Sequence, residues 1–251
     1  MDNLELNNHF KQVTNRFDNI KNTLASKKSS VKNYNIYFLG TAINGFGFRL
    51  NSINYHIELI QREIYLEKDK VVLSCKDKDI TLINSMISGK FIKLIMHRTT
   101  ILLCDIINDF FGALDNMAKI ITQFDKTSHG MRRMSDLISG LNKQDHSKKK
   151  KFVLFLTNEW DTWISKLYLE YRNDVIHFNP EECNISSLLK MNRIDGTTDG
   201  SCTAEQDILI SLPNTIKGIM NYDENEDDLL NFCFDIEERL LNIIEETIKL
   251  L

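Results

Sequence analysis

Apolar residues recur every three or four positions along most of this chain. From Asn3 to Ala25 this spacing is followed by Phe10, Val13, Phe17, Ile20 and Leu24. It puts them on one face of an α-helix. The same period predicts further helices at about 43–64, 89–124, 131–141, 152–175 and 227–250. Only two prolines occur in 251 residues, and so few helix breakers favour long helices.

Three segments break the helical period. Two short apolar runs, 71–73 and 80–83, flank a polar stretch and predict a small β-hairpin near 70–83 that leans on the helices. Residues 193–205 are rich in Gly, Thr and Asp, which is typical of a flexible loop. The apolar run at 208–212 predicts a lone strand.

Long amphipathic helices with short connections predict an all-α fold of the helical-bundle type. We expect the N-terminal helices and the hairpin, residues 1–88, to pack on a bundle formed by residues 89–251 within one compact domain. Hydrophobic residues make up 42% of the chain and charged residues 26%, which is ordinary for a globular protein with a sizeable core.

Composition also indicates the compartment. The five cysteines are odd in number and form no CxxC pair, which predicts reduced thiols in a cytoplasmic protein. The polar N-terminus is unlike a signal peptide. No run of 18 apolar residues occurs, so we expect no membrane partner. The histidines form no HxxxH or HxxE pattern, and neither a metal nor a cofactor is predicted.

Charge is distributed unevenly along the chain. Residues 125–151 hold eight basic and three acidic residues, a net charge of +5, whereas residues 221–251 hold two basic and ten acidic residues, a net charge of −8. A basic segment can bind the phosphates of a polyanion such as RNA. The candidate RNA-binding residues there are Arg132, Arg133, Lys148, Lys149, Lys150 and Lys151. A solvated, solubilising loop explains the lysine run equally well.

The most informative stretch lies at the end of the long helix predicted over 152–175. It reads Tyr-Arg-Asn-Asp-Val-Ile-His-Phe and ends shortly before Pro180, where helix is disfavoured. Asn173 and His177 are four positions apart and therefore share one helix face. Arg172 lies about 100° to the side of that face. One copy of the chain thus presents a small polar corner.

This stretch resembles the Rx4-6H motif of the HEPN superfamily, in which asparagine often follows the arginine. Residues 114–118, Leu-Asp-Asn-Met-Ala, are similar to the Leu-Asp-x-x-Ala helix of many HEPN proteins. The likeness covers roughly residues 90–251. It implies a HEPN-like helical bundle and a metal-independent endoribonuclease. Such an enzyme cuts RNA through the 2′-hydroxyl and leaves a 2′,3′-cyclic phosphate, so DNA is not cut.

The resemblance also implies roles for individual side chains. His177 is the acid/base, because an imidazole titrates near neutral pH. Arg172 is the phosphate clamp, because a guanidinium binds phosphate bidentately, and Asn173 is an orienting donor. Asp174 and Asp115 are possible supporting residues, Asp174 by orienting His177 or Arg172 and Asp115 as a buried partner of Arg172. A solvated carboxylate is the alternative for Asp174.

In the family, two such corners meet across a two-fold homodimer and form a composite site, as an interface with this symmetry allows. Such enzymes serve as toxins or antiviral effectors and are held in check by an antitoxin or another regulatory partner. HEPN toxins silenced by a nucleotidyltransferase carry a tyrosine two residues after the histidine. Here that position is Asn179, which puts tyrosine modification in doubt.

Two other interpretations fit the same residues. A non-catalytic HEPN module would bind RNA, a nucleotide or a protein partner through the same groove. In a plain helical scaffold, Arg172 would pair with an acid and His177 would cap the end of a helix. Substitution of these two residues distinguishes the possibilities, because only the enzyme loses RNA cleavage while keeping its fold.

Overall fold

The computed structural model describes residues 3–27, 35–75, 91–95, 97–124, 131–143, 151–176, 186–196, 202–222 and 229–251. The helices are α1 (Asn3–Ser26), α2 (Asn35–Cys75), α3 (His97–Phe124), α4 (Met134–Asn142), α5, α6 (Asn214–Met220) and α7 (Leu229–Leu250). Helix α5 begins as Lys151–Glu159 and continues through π-helical stretches at Trp160–Ile164 and Leu167–Ile176. The strands are β1 (Phe91–Ile95), β2 (Ser186–Gly196) and β3 (Cys202–Ser211). The described chain is therefore predominantly helical, as predicted.

The long helices bury the apolar stripes that the sequence indicates. All seven residues of the α2 stripe are buried, namely Ile43, Phe46, Leu50, Ile53, Ile57, Ile60 and Ile64. Helix α2 makes its most extensive contact with α3, and α7 contacts α1, α2, α3 and α5. One cluster of buried side chains includes residues from all seven helices. Cys104 and Cys233 belong to this apolar environment, as their positions in the helical patterns predicted.

Wide turns interrupt the regular geometry of α5. The backbone N–H of Ser165 donates to the carbonyl of Trp160, five residues earlier, instead of four as in an α-helix. The apolar stripe still reaches the core, because Trp163, Leu167 and Tyr171 are buried. The wide turns change the angular offset between neighbouring side chains, so the regular period does not fix the direction of Arg172.

The three strands form one antiparallel sheet in the order β1-β2-β3. Ser186 pairs with Ser211 and Gly196 with Cys202, with an irregularity between Met191 and Arg193. The predicted strand at 208–212 is thus real over residues 208–211, but it is not alone. The predicted loop at 193–205 was wrong for 193–196 and 202–205, because backbone pairing between two strands overrides a loop-like composition.

Two further boundaries differ from the predictions. Residues 91–95 form β1, although we expected the long third helix to begin at about 89. Residues 71–73, the first arm of the expected hairpin, are helical because α2 continues to Cys75. Short apolar runs rich in Val and Ile fit either period, so sequence alone does not separate these cases. The second arm, 80–83, lies outside the described residues.

Within the described ranges, no helix combines the length and the apolar character needed to cross a membrane.

Candidate active site: an arginine-lined cavity

Helices α2, α3 and α5 and the start of α4 enclose a cavity of about 480 Å³. Its walls carry three arginines from three different elements, Arg49 of α2, Arg133 just before α4 and Arg172 of α5. The remaining lining residues are Asn108, Phe111, Gly112, Asp115, Met134, Ser135, Trp160 and Tyr168. The volume falls within the range of roughly 300–1,000 Å³ that is typical of small-molecule sites.

Arg172 is held in the cavity by contacts on several sides. Its Nε donates to Oδ1 of Asn108 at 3.3 Å. Its guanidinium carbon lies 5.1 Å from the ring centroid of Tyr168 and 5.6 Å from that of Phe111, within the range of a cation–π contact. These contacts orient a half-buried guanidinium and leave its terminal nitrogens available as donors.

Arg49 reaches the same cavity from the opposite helix. Its Nη1 lies 2.6 Å from Oδ1 of Asp109, whose side chain is buried. The other Asp109 oxygen lies 3.4 Å from Nδ1 of His56. Gly112 leaves room for this arginine, since a Cβ atom there would lie 2.8 Å from Arg49 Nε. The α2–α3 contact therefore fixes the position of the Arg49 side chain.

Asp115 has a role that the sequence did not predict. It lines the cavity with Arg172, but its Oδ1 accepts a hydrogen bond of 2.9 Å from the backbone N–H of Met134. That N–H is the first in α4 and has no partner within the helix. Among the described residues no ion pair joins Asp115 to Arg172, so its role as the partner of Arg172 stays a prediction. Asp115 stabilises the start of α4, next to Arg133.

The cavity wall carries a positive charge. Its lining holds three arginines and one carboxylate, and Asp109 partly compensates Arg49 from behind. Among the residues that the structure describes, neither Arg133 nor Arg172 forms an ion pair with a carboxylate. Two arginines facing one cavity without an acidic partner favour an anionic ligand, and a guanidinium matches phosphate especially well.

The predicted site residues meet this cavity only in part. Arg172, Arg133 and Asp115 line it, whereas the exposed Arg132 does not. Asn173 and Asp174 lie in the last turn of α5, but their side chains are outside the description. His177 and the lysines Lys148, Lys149 and Lys150 also lie outside the described residues.

Lys151 is separated from the cavity. It is exposed at the first position of α5, 21 residues before Arg172. At about 1.5 Å per residue the two Cα atoms lie roughly 30 Å apart. Lys151 therefore does not contribute to the charge at Arg172, and its role as an RNA-binding residue stays a prediction.

Comparison of the chain with protein-family models, with curated proteins and with solved structures found no match. The arrangement must therefore be interpreted from its own geometry. In the described part of the chain, no three His, Cys, Asp or Glu side chains are grouped so that they could hold a metal ion.

Sequence reasoning missed most of the cavity lining, including Arg49, Asn108, Phe111, Trp160 and Tyr168. Trp160 follows the apolar stripe of α5, which predicts a core residue, yet it is only half-buried. For Arg49 a weak signal exists, since a charged residue directly precedes the buried Leu50. A charged side chain at the edge of a buried apolar stripe can lie next to a helix–helix contact while its cationic group reaches solvent.

Proposed function

We propose that this chain is a metal-independent endoribonuclease of the HEPN type, with Arg172, Asn173 and His177 as its site. The observation that carries the proposal is the orientation of Arg172. Its guanidinium is held by Asn108, Tyr168 and Phe111 at the wall of a positively charged cavity. An arginine with only a structural role is expected to form an ion pair with an acidic residue. Among the described residues, no acidic residue forms an ion pair with Arg172.

The reaction needs no metal, because RNA carries its own nucleophile. The 2′-oxygen attacks the adjacent phosphorus, a new O2′–P bond forms, and the P–O5′ bond breaks. An imidazole takes the proton from the 2′-hydroxyl, and an imidazolium gives a proton to the departing 5′-oxygen. The products are a 2′,3′-cyclic phosphate and a 5′-hydroxyl end. His177 performs this proton transfer, and Arg172 stabilises the charge that grows on the phosphate oxygens.

Two copies of the chain assemble the complete site. A single polar corner offers one imidazole, while the reaction uses a base and an acid. A two-fold homodimer supplies both from the same residue in each protomer. An enzyme of this kind acts on cellular or invading RNA as a toxin or antiviral effector, and a regulatory partner restrains it.

A second function is favoured by the aromatic wall of the cavity. Phe111, Trp160 and Tyr168 line it beside the arginines, and aromatic rings are the surfaces on which unpaired bases stack. A non-catalytic module with this cavity would bind RNA or a nucleotide without cutting it.

Incubation of the purified protein with a 5′-labelled single-stranded RNA in excess EDTA tests the proposal. The wild type should cut the RNA and leave cyclic phosphate ends, while His177→Ala and Arg172→Ala should not. The matched control is Arg62→Ala, at an exposed position of α2 outside the cavity, which should cut like the wild type. Circular dichroism establishes that each variant is folded.

The outcomes separate the two functions. Cleavage that needs a divalent metal, or that survives in His177→Ala, contradicts the ribonuclease proposal. RNA binding without cleavage in the wild type favours the binding module.

A further inference from the structure

We propose that the arginine-lined cavity binds one unpaired nucleotide of an RNA strand, with Arg49 and Arg133 joining Arg172 at the phosphate and Trp160 stacking on the base. This inference rests on the proposed function, because that function identifies the bound strand as RNA. It adds three residues from outside the Rx4-6H motif, and it makes single-stranded RNA the substrate class.

The first argument is the convergence of charge. Arg49, Arg133 and Arg172 come from α2, the start of α4 and α5, and all three line the same cavity. Like charges placed together in a partly desolvated space repel one another unless an anion lies between them. Among the described residues, Asp115 is the one carboxylate of the lining, and it is bound to the Met134 backbone. A phosphate supplies the missing negative charge.

The second argument is the fixed orientation of two of these arginines. Asp109 holds Arg49 from behind through Nη1, and Asn108 holds Arg172 through Nε. A guanidinium has five N–H donors, so each side chain keeps further donors for a ligand. Such preorganisation lowers the entropic cost of binding a phosphate.

The third argument is the contrast between the two tryptophans. Trp163 is buried, and its Nε1 donates to the Glu159 carboxylate at 3.0 Å. Trp160 is half-buried and lines the cavity. Its ring centroid lies 6.2 Å from that of Tyr168. The guanidinium of Arg172 lies over the same Tyr168 ring. Trp160 therefore offers a ring surface beside the phosphate-binding side chains, which is the arrangement that a nucleotide needs.

The size of the cavity favours an unpaired nucleotide over a base-paired one as the ligand. About 480 Å³ accommodates a small ligand but not a duplex. A base can reach the Trp160 ring only after leaving a base pair, so bases in loops and single strands are preferred.

The binding test uses a fluorescein-labelled 12-nucleotide RNA in which every 2′-oxygen is methylated, so that no cleavage can occur. Affinity is measured by fluorescence anisotropy. Arg133→Gln is the decisive variant, because Arg133 is exposed and forms no ion pair with a described residue. We expect a loss of at least about fivefold in affinity. Arg62→Gln, the same charge change at an exposed position of α2 outside the cavity, should stay within about twofold.

Arg49→Gln should weaken binding to a similar extent, provided that circular dichroism shows it to be folded without its Asp109 ion pair. Trp160→Leu should weaken binding at least about fivefold through the loss of stacking. Equal affinities of Arg133→Gln and Arg62→Gln would overturn the proposed site, as would an unchanged affinity of Trp160→Leu.

Tryptophan fluorescence locates the base independently. Adenosine 5′-monophosphate should quench the emission of the wild type and of Trp163→Phe, whereas Trp160→Phe should lose the quenching. Adenosine without phosphate should bind at least about tenfold more weakly. Quenching that persists in Trp160→Phe, or equal binding of adenosine and its monophosphate, contradicts the inference. Binding of the mononucleotide without binding of the 12-mer also contradicts it, because the ligand would then be a free nucleotide.

Cleavage measurements keep this inference distinct from the proposed function. If the 12-mer binds through Arg133 and Trp160 but the wild type cuts no RNA, the ribonuclease proposal fails and the nucleotide site stands. If the wild type cuts RNA while Arg133→Gln and Trp160→Leu keep its KM and kcat, the nucleotide site fails and the ribonuclease stands.

Discussion

His9 Nε2 lies 2.7 Å from Oε2 of Glu237, whose side chain is completely buried. The contact joins α1 to α7. The Asn54 side-chain amide of α2, oriented with its nitrogen toward the same carboxylate, donates to its two oxygens at 2.7 and 3.2 Å. Helices α1 and α2 thus supply the partners that the buried carboxylate on α7 requires. Burial raises the pKa of Glu237, and the hydrogen bond from His9 opposes this only in part.

This raised pKa gives a pH dependence of stability. The folded protein binds the Glu237 proton more tightly than the unfolded chain does. The stabilisation from this group is therefore present below the ordinary pKa of about 4.5 and is lost as the pH rises through the raised pKa. Glu237→Gln does not titrate. We expect the free energy of unfolding of the wild type, relative to Glu237→Gln, to fall as the pH rises above about 4.5 and to level off once the pH has passed the raised pKa.

Urea unfolding of both proteins at several pH values measures this difference. All other charged residues are present in both proteins, so contributions that do not involve Glu237 cancel in the difference. A difference that is constant with pH, or that rises with pH, would show that Glu237 is not held in an environment that favours its neutral form.

A second prediction concerns the start of α4. Asp115→Ala removes the acceptor of the Met134 N–H and a negative charge near a helix N-terminus. We expect a loss of about 1–2 kcal/mol in the free energy of unfolding. Asp115→Asn keeps an acceptor and should lose less. Urea unfolding provides the measurement. An Asp115→Ala protein as stable as the wild type would contradict this capping role.

The helices were predictable because each has one long buried stripe. The α2 residues from Ile43 to Ile64 keep a strict spacing and are all buried, so a single period determines both the element and its inner face. The runs at 71–75 and 91–95 are too short for their spacing to determine the type of element. One is helical and the other is a strand, and the choice depends on tertiary contacts that the local sequence does not contain.

Among the residues that line the cavity, the sequence pointed only to Asp115, Arg133 and Arg172. Arg49 and Arg172 are 123 positions apart, and no local pattern relates them. Their meeting depends on the packing of α2 against α3 and on the wide turns of α5, which change the direction of Arg172. A motif of polar residues at the end of one helix can be recognised in a sequence. Residues of several helices that line one cavity can be identified only when the fold is known.

A third prediction compares two glycines of α2. A Cβ atom at Gly47 would lie 2.5 Å from the Phe17 ring of α1, whereas one at Gly40 would have no atom within 4 Å. Gly40→Ala should stabilise the protein by up to about 1 kcal/mol, because alanine favours helix. Gly47→Ala should be less stable than Gly40→Ala by about 1–3 kcal/mol, because α1 must move. Thermal unfolding tests the order, and equal stabilities would contradict the close α1–α2 contact.

The last prediction concerns the shape of the Arg172 side chain. Arg172→Lys keeps the charge but loses the planar fork, the Asn108 bond and the stacking on Tyr168 and Phe111. A lysine acts on phosphate as a point charge and cannot bind it bidentately in one plane. We therefore expect kcat/KM for RNA cleavage to fall at least about tenfold, with a change in the free energy of unfolding below about 1 kcal/mol. Arg62→Lys, at an exposed position of α2 outside the cavity, is the matched control and should cut RNA like the wild type. Equal rates for Arg172→Lys and the wild type would mean that only the charge at this position matters, and the bidentate phosphate clamp would have to be abandoned.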